Sequence, residues 1–198
     1  MYGSVEQVKQ RSGVEFDDLN VDDSVDLDEF IDKLLGYASD HINVYCQRDF
    51  SFHEDVTEKY SGNGQDTFAL RNFPVTEVST VKVNDTELDP SAYRVQGQTA
   101  YSRENSGILQ RIDGDVWRQG ILNIEVVYSW GYTSVPDVID DIAVEMAVDY
   151  LKAAVNNYKT GGLESMNMEG FQTKFTDRRP LDESQMNRLQ PFKKAVFG

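Results

Sequence analysis

The sequence predicts an α+β fold: a small helical core with an inserted antiparallel β module and a C-terminal docking tail. Three observations carry this prediction. Apolar residues recur at helical spacing in two separated stretches, about 26–46 and 136–158. Between them the pattern changes to short runs of period two, broken by turn residues. The change back to helix is abrupt, because Gly120–Lys152 reads as a strand, a tight aromatic turn and a long helix with almost no slack. The segments divide as 1–50 for the N-terminal helical part, 51–130 for the β module, 131–160 for the second long helix and 161–198 for the tail.

The elements follow in order. Residues 4–11 suit a short helix ended near Gly13, and an acidic connection runs from Asp17 to Asp26. The first long helix has Leu27, Phe30, Ile31, Leu34, Ala38, Ile42 and Tyr45 on one face. Asp26 with Glu29 three residues on resembles a capping box at its start. Val56/Glu58/Tyr60, Phe68/Leu70, Val78/Val81/Val83, Tyr93/Val95 and Ile108/Leu109 are β-type runs. Asn63–Gly64, Asn84–Asp85, Pro90–Ser91, Asn105–Ser106–Gly107 and Asp113–Gly114 supply the turns between them. Leu122, Ile124, Val126 and Tyr128 alternate with Asn123, Glu125 and Val127, as in a strand with one face on a core. Gly131 breaks that strand where a residue without a Cβ takes a positive φ, and Pro136 suits a first helical position. The second long helix pairs Val138/Ile139, Ile142/Ala143, Met146/Ala147, Tyr150/Leu151 and Ala154/Val155 on one face, with Asp137, Asp140, Asp141, Glu145 and Asp149 on the other. Lys159–Thr160–Gly161–Gly162 ends it, and the tail reads as a short strand and a last helix near Asp182–Lys194.

Three blocks in this order resemble a known family. Ala38–Ser39–Asp40–His41–Ile42 leads into Tyr45–Cys46–Gln47–Arg48–Asp49–Phe50. Leu70–Arg71–Asn72–Phe73–Pro74–Val75–Thr76–Glu77–Val78–Ser79–Thr80–Val81 follows, then Val127–Tyr128–Ser129–Trp130–Gly131–Tyr132 with Val135–Pro136. Together they resemble the long form of the head–tail connector, or adaptor, proteins of tailed viruses, over about Leu34 to Tyr150. Gln47 departs from the pattern, since relatives often carry glycine there, which predicts a different closure of that helix. The resemblance implies a structural virion protein: a homo-oligomeric ring, typically twelve-fold, beneath the portal protein. Such a ring extends the DNA channel, lets DNA pass without specific binding, and offers a docking surface to a neck or tail-completion protein. Another ring of the same neck, such as the stopper, is the near alternative. An acidic calcium- or carbohydrate-binding surface module is the distant one.

Composition limits the rest. No apolar run approaches the roughly 20 residues needed to span a bilayer, and the start Met-Tyr-Gly-Ser-Val-Glu lacks the pattern of a signal peptide. The single Cys46 excludes an intrachain disulfide, and its place on an apolar helix side predicts a small buried hydrophobe rather than a reactive thiol. Thirty-four Asp and Glu against 19 Lys and Arg give a formal net charge of −15. Such a chain does not bind the outside of DNA by neutralising phosphates. Residues 170–198 run the other way, with Lys174, Arg178, Arg179, Arg188, Lys193 and Lys194 against Asp177, Asp182 and Glu183. A positive tail on a negative body suggests docking to an acidic partner surface. Aromatic residues stand among these cations at Phe171, Phe175, Phe192 and Phe197. The residues expected to dock on the portal are Arg178, Arg179, Phe192, Lys193, Lys194 and Phe197; folding of the tail back onto its own subunit is the alternative.

Chemistry has little support. His41 and His53 are the two histidines, and neither has a Ser, Cys or Lys beside it in a nucleophile arrangement. Gly62–Asn63–Gly64 is a turn rather than a phosphate loop, and Cys and His are too few for structural zinc. Asp18 to Glu29 fits much of an EF-hand loop, but position six is Asp23 where the turn needs glycine, and matches by chance are expected in a chain so rich in Asp. Tyr128, Trp130 and Tyr132 read as a core corner and a subunit contact rather than a stacking platform. No cofactor, metal or catalytic residue is expected. The acidic surface suits either a virus of a halophilic host or an ordinary acidic protein. Melting in low and multimolar KCl separates the two: the halophile reading expects a higher melting temperature in salt, and no gain would sink it.

Overall fold

The computed structural model describes residues 1–13, 27–96, 107–159 and 181–194. The fold is α+β, and it divides into two compact units, Met1–Asp49 with Val135–Gly198, and Phe50–Ser134.

The first unit holds α1 (Val5–Ser12), α2 (Leu27–Cys46), α3 (Asp137–Lys159) and α4 (Glu183–Leu189), the last continued by a 3-10 turn at Gln190–Phe192. Ser4 caps α1 through a capping box with Gln7, and Gly13 closes it at φ 61°. The apolar stripes of α2 and α3 face each other, so Phe30, Ile31, Leu34 and Leu35 pack with Val144, Ala147, Leu151 and Ala154, and Val8 of α1 joins them. Each large aliphatic buried in this way contributes about 1.5–3 kcal/mol against its exposed state. Pro136 stands one residue before the first turn of α3, where its missing N–H costs nothing, and its carbonyl accepts from Ile139 at 2.8 Å. The polar side of α3 is not simply a solvated acidic face. Asp140 accepts from Gly3 N–H at 3.0 Å, Asp141 pairs with Arg11 at 2.6 Å, and Glu145 pairs with Arg188 at 2.8 Å.

The end of α2 closes in the ordinary way despite its missing glycine. Gln47 takes the left-handed conformation at φ 55°, and Arg48 N–H donates to Asn43 C=O at 3.2 Å. A different closure was expected; an exposed glutamine instead adopts the backbone region that glycine favours, and the closing hydrogen bond forms as it would with glycine.

The second unit contains β1 (His53–Gly62), β2 (Thr67–Ala69), β3 (Val75–Val83), β4 (Thr86–Glu87), β5 (Tyr93–Val95), β6 (Ile108–Arg111) and β7 (Gly120–Trp130). One sheet has the order β1-β7-β3-β4 and the other β2-β6-β5, with every pairing antiparallel. Ile124, Val126, Tyr128 and Trp130 of β7 point into a core shared with Tyr60, Phe68, Leu70, Val75, Val81, Leu109 and Trp117. On the opposite face Glu125 lies between Lys59 at 3.5 Å and Lys82 at 3.2 Å, a cross-strand charge ladder. Asn84 and Asp85, at φ 49° and 62°, turn β3 into β4.

The alternation does not extend to Leu122. The register shifts between Tyr60 and Gly62, Leu122 takes φ 48°, and its side chain is 55% exposed. Its N–H donates to Ser61 Oγ at 3.0 Å instead of joining the regular ladder, so the bulge sends this leucine outward. Gly131 behaves as its position predicts, with φ 96°, and a Cβ there would lie 2.0 Å from the Ser51 carbonyl oxygen. The expected Asp26 cap and the short strand of the tail fall outside the described residues.

Two substitutions with opposite signs test these backbone assignments. Gln47→Gly relieves a left-handed non-glycine residue and raises stability by about 0.5–1 kcal/mol, whereas Gly131→Ala loses more than about 1 kcal/mol. Both are read from denaturant midpoints.

Candidate interaction surfaces

The C-terminal segment is built onto its own helical unit. Asp182 caps α4 in a capping box with Gln185, and Gln185 and Leu189 are buried. Arg188 reaches from α4 to α3, with Nη1 at 2.9 and 2.8 Å from the two carboxylate oxygens of Glu145 and Nη2 at 3.8 Å from Asp141. Tyr45 on α2 donates its hydroxyl to the Met186 carbonyl at 3.1 Å. Lys193 Nζ lies 4.3 Å from the Tyr45 ring centroid, and Lys194 N–H donates to the Cys46 carbonyl at 2.9 Å. The last turn of α2 has no basic residue of its own, so these lysines bring positive charge to the negative end of its dipole.

Of the six residues expected to dock on the portal, Phe192, Lys193 and Lys194 thus lie together at the C-terminal end of α2, Phe192 half-buried and Lys193 exposed. Arg178, Arg179 and Phe197 fall outside the described residues. Arg188 was counted only as part of the basic tail; its specific role as the bridge to Asp141 and Glu145 was legible in principle, since those acids stand at an i, i+4 spacing facing a basic segment. The N-terminal residues gave no such signal. Tyr2 is buried, its N–H donates to Ser39 Oγ at 2.8 Å, and its hydroxyl contacts Asn43 at 2.5 Å and Asp49 at 2.8 Å.

In the β unit the segment Leu70–Val75 is held by a polar cluster inside the wall of the core. The Tyr60 hydroxyl donates to Glu58, Tyr128 donates to the same Glu58 oxygen at 3.0 Å, and the two phenols are 3.2 Å apart. Arg71 N–H donates to Tyr60 at 3.0 Å, its guanidinium to the Lys59 carbonyl at 3.0 Å, and Asn72 to Glu58 at 3.1 Å. Burial pushes the Tyr128 hydroxyl up to about 12, and burial with the Glu58 contact pushes Tyr60 higher still. Arg111, itself buried, pairs with Asp113 and holds that carboxyl down to about 2.

The described residues hold no group of His, Cys, Asp and Glu placed to bind a metal ion. Residues 18–26 of the EF-hand-like stretch lie outside them, and the two described acids near its end are engaged, Asp28 with Lys9 and Glu29 with Lys33 at 2.8 Å. His53 stacks on Trp130 with 4.0 Å between centroids, and burial lowers His41. Cys46 is fully buried, and burial raises its thiol to about 11, as expected of a small hydrophobe. None of the described helices is long and apolar enough to cross a membrane.

The model of a family described as head completion protein matches residues 11–177. The chain belongs to the head completion protein family. Its fold is also that of a solved chain described as the neck of an empty GTA particle computed with C6 symmetry. The two superpose with a TM-score of 0.60 at 11% identity, over 98% of this chain and 90% of the other. No curated protein matches the sequence.

This head completion protein is therefore a structural protein of the virion, at the head–tail junction. All six residues expected to dock on the portal lie beyond the stretch that the family model matches. Within the match, the cluster around Tyr60 accounts for two residues of the Leu70–Val75 block: Arg71 and Asn72 hydrogen-bond to groups on β1. Because Tyr60 and Tyr128 ionise less readily folded than the ~10 of a free tyrosine, the stability they contribute is complete below that pH. It is lost as pH rises through about 12. An alkaline titration followed by phenolate absorbance is expected to show both hydroxyls resisting ionisation until the β unit unfolds, and Tyr60→Phe to bring that unfolding to lower pH.

Proposed function

We propose that this head completion protein is the adaptor of the neck, forming a ring directly beneath the portal protein, twelve-fold to match it, and extending the channel through which DNA passes. In this reading the ring also presents a surface to the next neck or tail-completion protein. The observation that carries it is the inversion of charge along the chain. A body rich in carboxylates ends in a segment with six cations against three acids, and that segment is anchored on α2 and α3 by Arg188 and Lys194. Anchoring of residues 181–194 reduces the ordering entropy lost when the segment docks. Because Lys193 and Lys194 sit on α2 of their own chain, the portal contact rests chiefly on Arg178, Arg179 and Phe197. Carboxylates facing the channel repel the DNA backbone, so DNA passes without specific binding.

The test is sedimentation with portal rings encoded by the same genome. Residues 181–194 support the helical unit, so Arg178→Glu with Arg179→Glu is a cleaner variant than truncation. The wild type is expected to co-sediment with portal rings, and the double variant to lose most of that binding. Equal binding by both moves the contact to the helical unit. No binding by the wild type overturns the adaptor position in favour of another ring of the neck, such as the stopper.

A further inference from the structure

Gly36 stands in the middle of α2, where glycine is destabilising relative to alanine. Among the described residues nothing asks for it: a Cβ there would meet no heavy atom within 4 Å, and its φ is not left-handed. Asp32, Gly36, Asp40 and Val44 follow one another at i, i+4 and form a single line along the helix. Asp32 and Asp40 are exposed, and Val44 is 76% exposed, while the opposite face of α2 packs against α3. The line combines a bare stretch of backbone, two acids beside it and an unprotected aliphatic side chain. A helix surface lacking a Cβ lets a second polypeptide approach to backbone contact, which is a use for glycine that the subunit alone does not have.

The same unit carries the complement. Arg48, Lys193 and Lys194 gather at the C-terminal end of α2, roughly 15 Å from Gly36 along the helix. An acidic, open face and a basic end on one unit are unlike and complementary. That is the requirement of a heterologous contact, in which each copy uses a different face toward each neighbour.

We propose that the line Asp32–Gly36–Asp40–Val44 is the docking face for the basic C-terminal end of α2 in a second copy of this chain. This names the subunit contact of the proposed ring and takes from that reading only that the partner is another copy.

The experiment uses the full chain alone, without portal, so its failure is separate from failure of the adaptor position. Self-association is followed by sedimentation over a range of protein concentrations, in low and molar salt, and melting is followed on the dilute subunit. Gly36→Ala is expected to raise the melting temperature by about 2–4 °C while weakening self-association about tenfold. Gly36→Leu and Val44→Asp abolish association with the subunit still folded. Asp40→Lys and Lys193→Glu each weaken it, and an equimolar mixture of those two variants associates again. Gly36→Leu associating like the wild type would overturn the proposal, as would a wild type that stays monomeric at millimolar concentration in both salts. A mixture of the charge variants no stronger than either alone would overturn the pairing of the acidic line with the lysines.

Discussion

Thirty-four carboxylates share nineteen lysine and arginine side chains in this protein, and the placement of those few cations organises both units. Arg188 and Arg11 meet on Asp141, which ties α1 and α4 to α3. Arg71 reaches Glu58, Arg111 reaches Asp113 and Asp115, and Lys59 and Lys82 share Glu125. Hydroxyl groups add to these pairings: Tyr2 donates to Asp49, and Tyr60 and Tyr128 donate to Glu58. Most of these pairs are partly exposed, so each contributes little singly. Their effect is to decide which surfaces come together, because an acidic side chain packed without a donor would be far more costly than the pair is favourable.

Those pairings bear on function in a structural protein of the head–tail junction. In such a protein the contact surfaces are the first place to look for function. The described residues contain buried phenols, an inert thiol and engaged carboxylates, each with a packing or hydrogen-bonding explanation. What packing among the described residues does not explain is found at the surface: a glycine in mid-helix with open space beside it. In an assembly protein, features with no use inside the subunit are the natural places to look for neighbours.

Much of the fold was legible because its periodicities are local. The stripe Leu27–Ile42 could face only one way, and the alternation from Ile124 to Tyr128 had to bury one side of β7. Gly131 was legible from its place between a strand and a helix start, and the contact with Ser51 at φ 96° adds a second reason that only the fold supplies. Leu122 was misread because a bulge moves one residue out of the alternation, and the bulge depends on pairing with β1. The closure of α2 at Gln47 was misread because a non-glycine residue takes the left-handed conformation there, and the Arg48–Asn43 and Lys194–Cys46 backbone bonds complete the helix end. Of the candidate docking residues, Lys193 and Lys194 were found as charges, but their contact with Tyr45 and Cys46 spans more than 140 positions and leaves no local pattern.

The sequence by itself determined which segments are helix and strand, which faces are apolar, and that positive charge collects at the C-terminal end. These follow from side-chain spacing and from counting, and both are properties of neighbouring residues. Only the tertiary structure decided which carboxylate each cation meets, that Tyr2 is buried between distant partners, and that no described residue fills the space beside Gly36. Those depend on groups brought together from opposite ends of the chain, where a shift of one helical residue, about 1.5 Å along the axis and 100° around it, replaces one partner with another.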